Sequence, residues 1–149
     1  MLLIDLIESD IIRLPLVSTT KSGIIRELVE VLKASGRISE VQPVYDALMV
    51  REDKGSTGLE RGIAVPHART EAVKNLTVAL GISPGGVNFD ALDGKPSHLF
   101  FLILAAPGQS GPHIEALAEI ARLTRSQGFC DMLINATSPE EVVRLIKEE

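Results

Sequence analysis

The sequence predicts a single layered α/β domain in which helices cover a mostly buried sheet. Three observations carry this expectation: helical periods at both ends of the chain, short aliphatic runs between them, and no Pro/Gly/Ser-rich linker dividing the whole. The 149 residues are one ordinary domain's worth, so one unit over 1–149 is expected. Ile24, Leu28, Val31 and Leu32 stand at i, i+4, i+7 and i+8, which predicts an amphipathic helix over 21–34 ended near Gly36. Ser39, with Gln42 three residues on, has the form of a capping box opening a second helix whose apolar face is Val41, Val44, Tyr45 and Leu48. The period then changes. Residues 62–66, 76–82 and 98–105 are short, aliphatic and bounded by Gly or Pro, as buried strands are. Ser83-Pro84-Gly85-Gly86 and Leu92-Asp93-Gly94-Lys95 supply turn chemistry between them. Helical spacing returns at Ile114, Leu117, Ala118 and Ala121. A last helix has Ser138 as N-cap, Pro139 in the first position and Glu141 in the third.

Composition narrows the functions. Hydrophobic residues make up 45% and charged residues 23%, which excludes disorder. The longest apolar run, Leu99 to Ala106, is eight residues, against the ~20 that a membrane-spanning helix needs. Asp5, Glu8 and Asp10 interrupt the N-terminal stretch and no basic residue precedes it, so it does not read as a signal peptide and a cytoplasmic protein without membrane insertion is expected. Twenty acidic against fifteen basic residues give a net charge of -5, and only five residues are aromatic. Neither phosphate-backbone attraction nor base stacking has a basis here, so no nucleic-acid partner is expected. Cys130 is the only cysteine, which excludes an internal disulfide and a thiolate metal site.

The usual catalytic motifs are missing. The three histidines, His67, His98 and His113, show no metal-ligand spacing, and no nucleotide-binding glycine loop or nucleophile elbow is present. What remains is Arg51-Glu52-Asp53-Lys54-Gly55-Ser56-Thr57-Gly58, followed by Gly62-Ile63-Ala64-Val65-Pro66-His67-Ala68-Arg69. Small residues on such a loop let backbone N–H groups converge on an anion, Ser56 and Thr57 add hydroxyl donors, and Arg51 offers bidentate contact to phosphate oxygens. His67, at a strand end after Pro66, has one ring nitrogen available for attack on phosphorus when the other is hydrogen-bonded. His113 follows Gly111-Pro112 in the first turn of a helix, where backbone N–H groups favour anions. Each residue also has a plainer reading. Arg51 would neutralise a helix C-terminus, His67 would be a satisfied surface histidine, and His113 a solvated first-turn residue. His98 reads as loop punctuation. From the residues alone, the cluster is a candidate oxyanion or phosphate site.

Together these segments resemble the fructose/mannitol-type enzyme IIA domains of the phosphoenolpyruvate-dependent phosphotransferase system. The likeness continues through Phe89-Asp90-Ala91-Leu92-Asp93-Gly94-Lys95-Pro96, then Ala106-Pro107, Pro112-His113-Ile114 and the segment Ala118 to Leu123, and so covers the whole chain in order. The resemblance implies a central mixed β-sheet flanked by helices on both faces. It implies a phosphotransferase component with no cofactor or metal, which takes a phosphoryl group from the histidine phosphocarrier protein. His67 would be the phosphorylated nucleophile through Nε2, Arg51 would stabilise the phosphoryl oxygens, and His113 would be the second active-site histidine. Ser56 and Thr57 would donate phosphate-binding hydrogen bonds. The Gly-Ser-Thr-Gly loop and the lone domain look most like the nitrogen-regulatory members, whose recipient is a regulated target protein. A separate IIA subunit of a fructose- or mannitol-type permease, passing phosphate to a IIB domain, is the alternative, and a non-phosphorylated binding module the second. The sequence departs from the family pattern at Glu60-Arg61, where many relatives have Gly-Asn, and carries Arg69 where Lys is frequent. The first change removes residues that tolerate a positive φ from the turn into Gly62.

Overall fold

The computed structural model describes residues 3–148. Its centre is the antiparallel pair β4 (Thr77–Val87) and β5 (Ser97–Ala105), with Leu80 opposite Phe101 and Gly81 opposite Phe100. β1 (Ile12–Arg13) runs parallel to β4 on its outer side. β2 (Ile63–Ala64) and β3 (His67–Arg69) both run parallel to β5 on the other side. The sheet is mixed, as expected. Residues 78–82 of β4 and 99–105 of β5 are buried without interruption, which requires cover on both faces. Phe89, Phe100 and Phe101 are fully buried in the aliphatic core.

Among the described residues, five α-helices supply cover: α1 (Lys21–Ala34), α2 (Val41–Asp53), α3 (Ser110–Leu123), α4 (Gln127–Ile134) and α5 (Pro139–Glu148). α1 matches the predicted 21–34 and buries Ile24, Ile25, Leu28, Val29 and Leu32. It ends in a Schellman motif, with Arg37 N–H on Leu32 O and Gly36 N–H on Lys33 O, and Gly36 takes the left-handed φ of 81° that this requires. Ser138 accepts Glu141 N–H at 3.1 Å and caps α5 as its sequence predicts.

Other expectations are corrected. The Ser39–Gln42 capping box does not form: α2 begins at Val41 with Glu40 as an N-cap that makes no side-chain hydrogen bond. Pro43 has no N–H to offer the first turn, and the Gln42 amide bonds instead with Arg26 and Asp46. Residues 83–86 are not a turn. They continue β4 through a register shift between Ile82 and Val87, and only Leu92–Lys95 reverses the chain. α4 has no counterpart in the sequence reading. It is eight residues long with Gly128 in its first turn, and Ser126 Oγ, which accepts Phe129 N–H, is its start signal. The predicted strand 62–66 breaks at Val65-Pro66 and resumes at His67 with the register on β5 unchanged. Pro66 cannot donate to β5, and on the other side of the strand Val65 N–H donates to Thr57 O at 3.0 Å.

That bond holds the site loop. Leu59 N–H donates to Ile63 O at 2.7 Å, and Gly58 bridges Ala64, so residues 57–59 run back along 63–65. The turn between them places Arg61 at φ 60° and Gly62 at φ 79°. Arg61 therefore takes the left-handed conformation despite its side chain, with its N–H on Asp93 Oδ2 at 3.0 Å and its Nη1 on Arg125 O at 3.1 Å. Gly58 lies against the chain before β5: a Cβ there would stand 2.9 Å from Ala91 Cα and 3.0 Å from Phe89 O. Backbone cannot yield as a side-chain tip does. Gly58→Ala is expected to destabilise the domain by about 1–3 kcal/mol, measured by urea denaturation.

Candidate active site

His67 opens β3 directly after the Pro66 break. Its Nδ1 lies 2.7 Å from Val65 O. A carbonyl oxygen only accepts, so Nδ1 carries the proton and donates, leaving the lone pair of the neutral ring on Nε2. The ring is half-buried and faces His113 from the first turn of α3, with centroids 4.9 Å apart and planes at 72°. His113 is buried, and its Nε2 has no hydrogen-bond partner among the described residues.

Arg51 comes from the last turn of α2. Its Nη1 donates to Gly55 O at 2.8 Å, which fixes the guanidinium on the loop rather than on the helix terminus alone. Arg51 and His67 are common walls of two adjoining hollows. One, about 400 Å³, adds His113, Lys54 and Arg69, so three cations gather round one histidine in a chain whose net charge is -5. The other, about 310 Å³, is more apolar and is walled by Leu59, Val65, Leu117 and Ile120. Val50, Leu59 and Ile114 are large apolar residues exposed at 58%, 41% and 66%.

Ser56 and Thr57 are on the loop beside these hollows, with hydroxyls already engaged by protein groups. Ser56 Oγ donates to Phe89 O at 2.7 Å and accepts Gly58 N–H at 3.0 Å. The Thr57 hydroxyl donates to Glu52 Oε1, and Thr57 N–H donates to Glu52 Oε2 at 3.2 Å. His98 stands apart, against Gly62 and Gly86, with Nδ1 on Ser83 O at 3.0 Å. The structure thus brings His67, His113 and Arg51 to one cavity and puts Ser56 and Thr57 in its frame. The sequence reading missed Glu52, Lys54 as a wall, and the apolar hollow. Glu52 had a signal: it follows Val44 and Leu48 at four-residue spacing on the buried face of α2, where a carboxylate demands partners. Among the described residues, no three His, Cys, Asp or Glu side chains converge as a metal site would require.

A family model described as "Phosphoenolpyruvate-dependent sugar phosphotransferase system, EIIA 2" matches residues 5–149. The chain belongs to this family. IIA domains are phosphotransfer components of that system, and relatives fall in both its sugar-specific and nitrogen-regulatory groups. The fructose-specific EIIA component of Haloferax volcanii is 35% identical over 87% of this chain and 84% of its own length. The fructose-specific EIIABC component of Bacillus subtilis is 35% identical over 97% of this chain, which spans 23% of that longer protein. Among solved structures, nitrogen regulatory protein IIA-Ntr from Neisseria meningitidis superposes with a TM-score of 0.86 at 31% identity, covering 96% of this chain and 97% of that one. The Escherichia coli mannitol IIA enzyme, solved in complex with phosphorylated mannitol IIB, superposes with a TM-score of 0.80 at 26% identity, covering 95% and 97%.

In this IIA domain, burial first, and then the charges of His67 and Arg69, hold the pKa of His113 below the ordinary 6.5. The unfolded chain therefore binds a proton at His113 more readily than the folded one. The resulting stabilisation is complete above about pH 6.5 and is lost as pH falls through the lowered folded value. Replacing His113 with neutral Asn is expected to flatten this part of the curve. The difference in melting temperature between wild type and His113→Asn, followed from pH 7.5 down to about 5, should change across that window and stay level above it.

Proposed function

We propose that this domain is a phosphoryl carrier that accepts phosphate on His67 Nε2 from the phosphorylated histidine phosphocarrier protein. The observation that carries the reading is the Nδ1–Val65 hydrogen bond, which leaves Nε2 as the lone-pair nitrogen beside Arg51, Lys54 and Arg69. In the transfer, the donor's N–P bond breaks as the Nε2–P bond forms, and the ring proton stays on Nδ1, donated to Val65 O. Neither nucleotide nor metal is needed, because positioning and charge stabilisation supply most of the catalysis of such a loose transition state. Arg51 neutralises the phosphoryl oxygens. His113 closes the cavity opposite His67, and its unpartnered Nε2 is available to the group when it arrives. Ser56 and Thr57 contribute by shaping the loop through the bonds they already make. Exposed Val50 and Leu59 each line one of the two hollows, Ile114 is exposed next to His113 in the chain, and the three offer apolar contact to the partner protein.

For the onward step we assign the nitrogen-regulatory branch, with a regulated protein as recipient; the high structural similarity to IIA-Ntr supports it. A second reading, transfer to a IIB domain of a sugar permease, is favoured by the 35% identity to fructose-specific EIIA proteins and by the IIA–IIB complex of the mannitol system. Either route uses phosphoenolpyruvate, and so places the protein in the cytoplasm.

Incubation with phosphoenolpyruvate, enzyme I and the phosphocarrier should add one acid-labile phosphoryl group to the intact mass, absent in His67→Ala. Arg51→Ala should fold normally and take up phosphate about 10²–10³-fold more slowly, the usual loss when one charge-stabilising donor is removed. No mass gain with active donors would exclude the carrier reading. Passage of the label to a IIB cysteine would favour the permease branch over the regulatory one.

A further inference from the structure

We infer that Glu52 is a positioning residue for His67, acting through Thr57 and the backbone of Val65. Glu52 is on the core-facing stripe of α2 with Val44 and Leu48, and its side chain is 2% exposed. A buried carboxylate is costly unless paired and hydrogen-bonded, and an apolar residue would fill that stripe more simply. The carboxylate has Lys21 Nζ at 2.7 Å as its counter-ion. Lys21 is itself held from three directions: by Glu52, by Asp90 Oδ2 at 3.6 Å, and over the Phe89 ring at 5.0 Å from the centroid. Both carboxylate oxygens also accept from one residue, Thr57, through its hydroxyl and its N–H. Thr57 O in turn accepts Val65 N–H at 3.0 Å, and Val65 O accepts the Nδ1 proton of His67. A continuous chain of polar contacts therefore runs from α1, through α2 and the loop, to the imidazole.

The same loop carries the acceptor of Arg51, Gly55 O. A shift of Thr57 thus moves both the ring of the nucleophile and the charge beside it. Reacting groups are sensitive to such shifts, since a misplacement of about 1 Å can cost on the order of 10²-fold in rate. The inference rests on the proposed function in taking His67 as the phosphoacceptor. The tautomer of His67, however, is measurable whether or not phosphate is ever transferred.

The experiment uses the full chain and three variants: Lys21→Met/Glu52→Leu, which removes both charges together; Glu52→Gln, which keeps an acceptor for Thr57; and Thr57→Val. Long-range 1H–15N spectra of the imidazoles report the tautomer, thermal melts report folding, and single-turnover transfer from the phosphocarrier reports rate and half-saturation. In the wild type His67 should hold the proton on Nδ1. In the folded double variant it should populate both tautomers. Its rate at saturating donor should fall about tenfold or more, with half-saturation within about twofold, and Glu52→Gln should recover the wild-type tautomer. A folded double variant with the wild-type tautomer, or with an unchanged rate, overturns the inference. If the double variant does not fold, Thr57→Val decides in the same way: a mixed tautomer supports positioning and the wild-type tautomer overturns it. If the wild type takes no phosphate, the carrier reading fails, and the tautomer result still decides the role of Glu52.

Discussion

The hydrogen bond from His67 Nδ1 to Val65 O is the constraint on which the site depends. It forms on the outer edge of the sheet. Pro66 lacks the N–H that would continue the ladder on β5, and Val65, whose polar groups face away from β5, donates its N–H to Thr57 O. One residue then does two things: its N–H ties the loop to the sheet, and its carbonyl sets which nitrogen of His67 keeps its lone pair. The ladder resumes at once, with Ile103 N–H on Pro66 O at 2.9 Å, so the departure is confined to a single step of the strand.

Around that nitrogen the domain concentrates charge against its own average. The chain is acidic overall, yet Arg51, Lys54 and Arg69 border one cavity. The cations arrive from two structural contexts. Arg51 and Lys54 come from the end of α2, where a positive side chain also suits the helix terminus, and Arg69 from the end of β3. Such convergence is a property of the fold, invisible in net charge. Burial, and then the neighbouring imidazole and Arg69, hold the pKa of His113 down.

Much of this was legible in the sequence where one local rule governed the outcome. The period of Ile24, Leu28 and Leu32 with Gly36 beyond it defined α1, and Ser138-Pro139 defined the start of α5. Reading failed where two local rules competed. Ser39 and Gln42 have capping spacing, but Pro43 removes a donor of the first turn, and the helix begins later. Ser83-Pro84-Gly85-Gly86 has the composition of a turn, yet the long pairing of β4 with β5 carries it as an irregular strand. At the site, the Pro-His pair, Arg51 and His113 stood out by residue type, and the structure places them together. Glu52 and the Thr57–Val65 link did not, because their significance is in contacts between segments. Glu60-Arg61 shows the converse: a turn that glycine or asparagine would ease is held by Arg61 at φ 60°, with help from Asp93 and Arg125.

The two histidines belong to walls of unequal firmness. His67 hangs on β5, whose neighbouring residues Ile103 and Leu104 are fully buried. His113 stands in the first turn of α3, whose N-cap, Gln109, makes no side-chain bond to the helix and instead accepts Ala106 N–H. Segments of these two kinds exchange their amide hydrogens through different openings, the sheet through near-global unfolding and the helix end through local fraying. The cavity therefore joins a wall held by sheet pairing to one that opens a helix, and the two differ in how much of the fold must loosen before they separate.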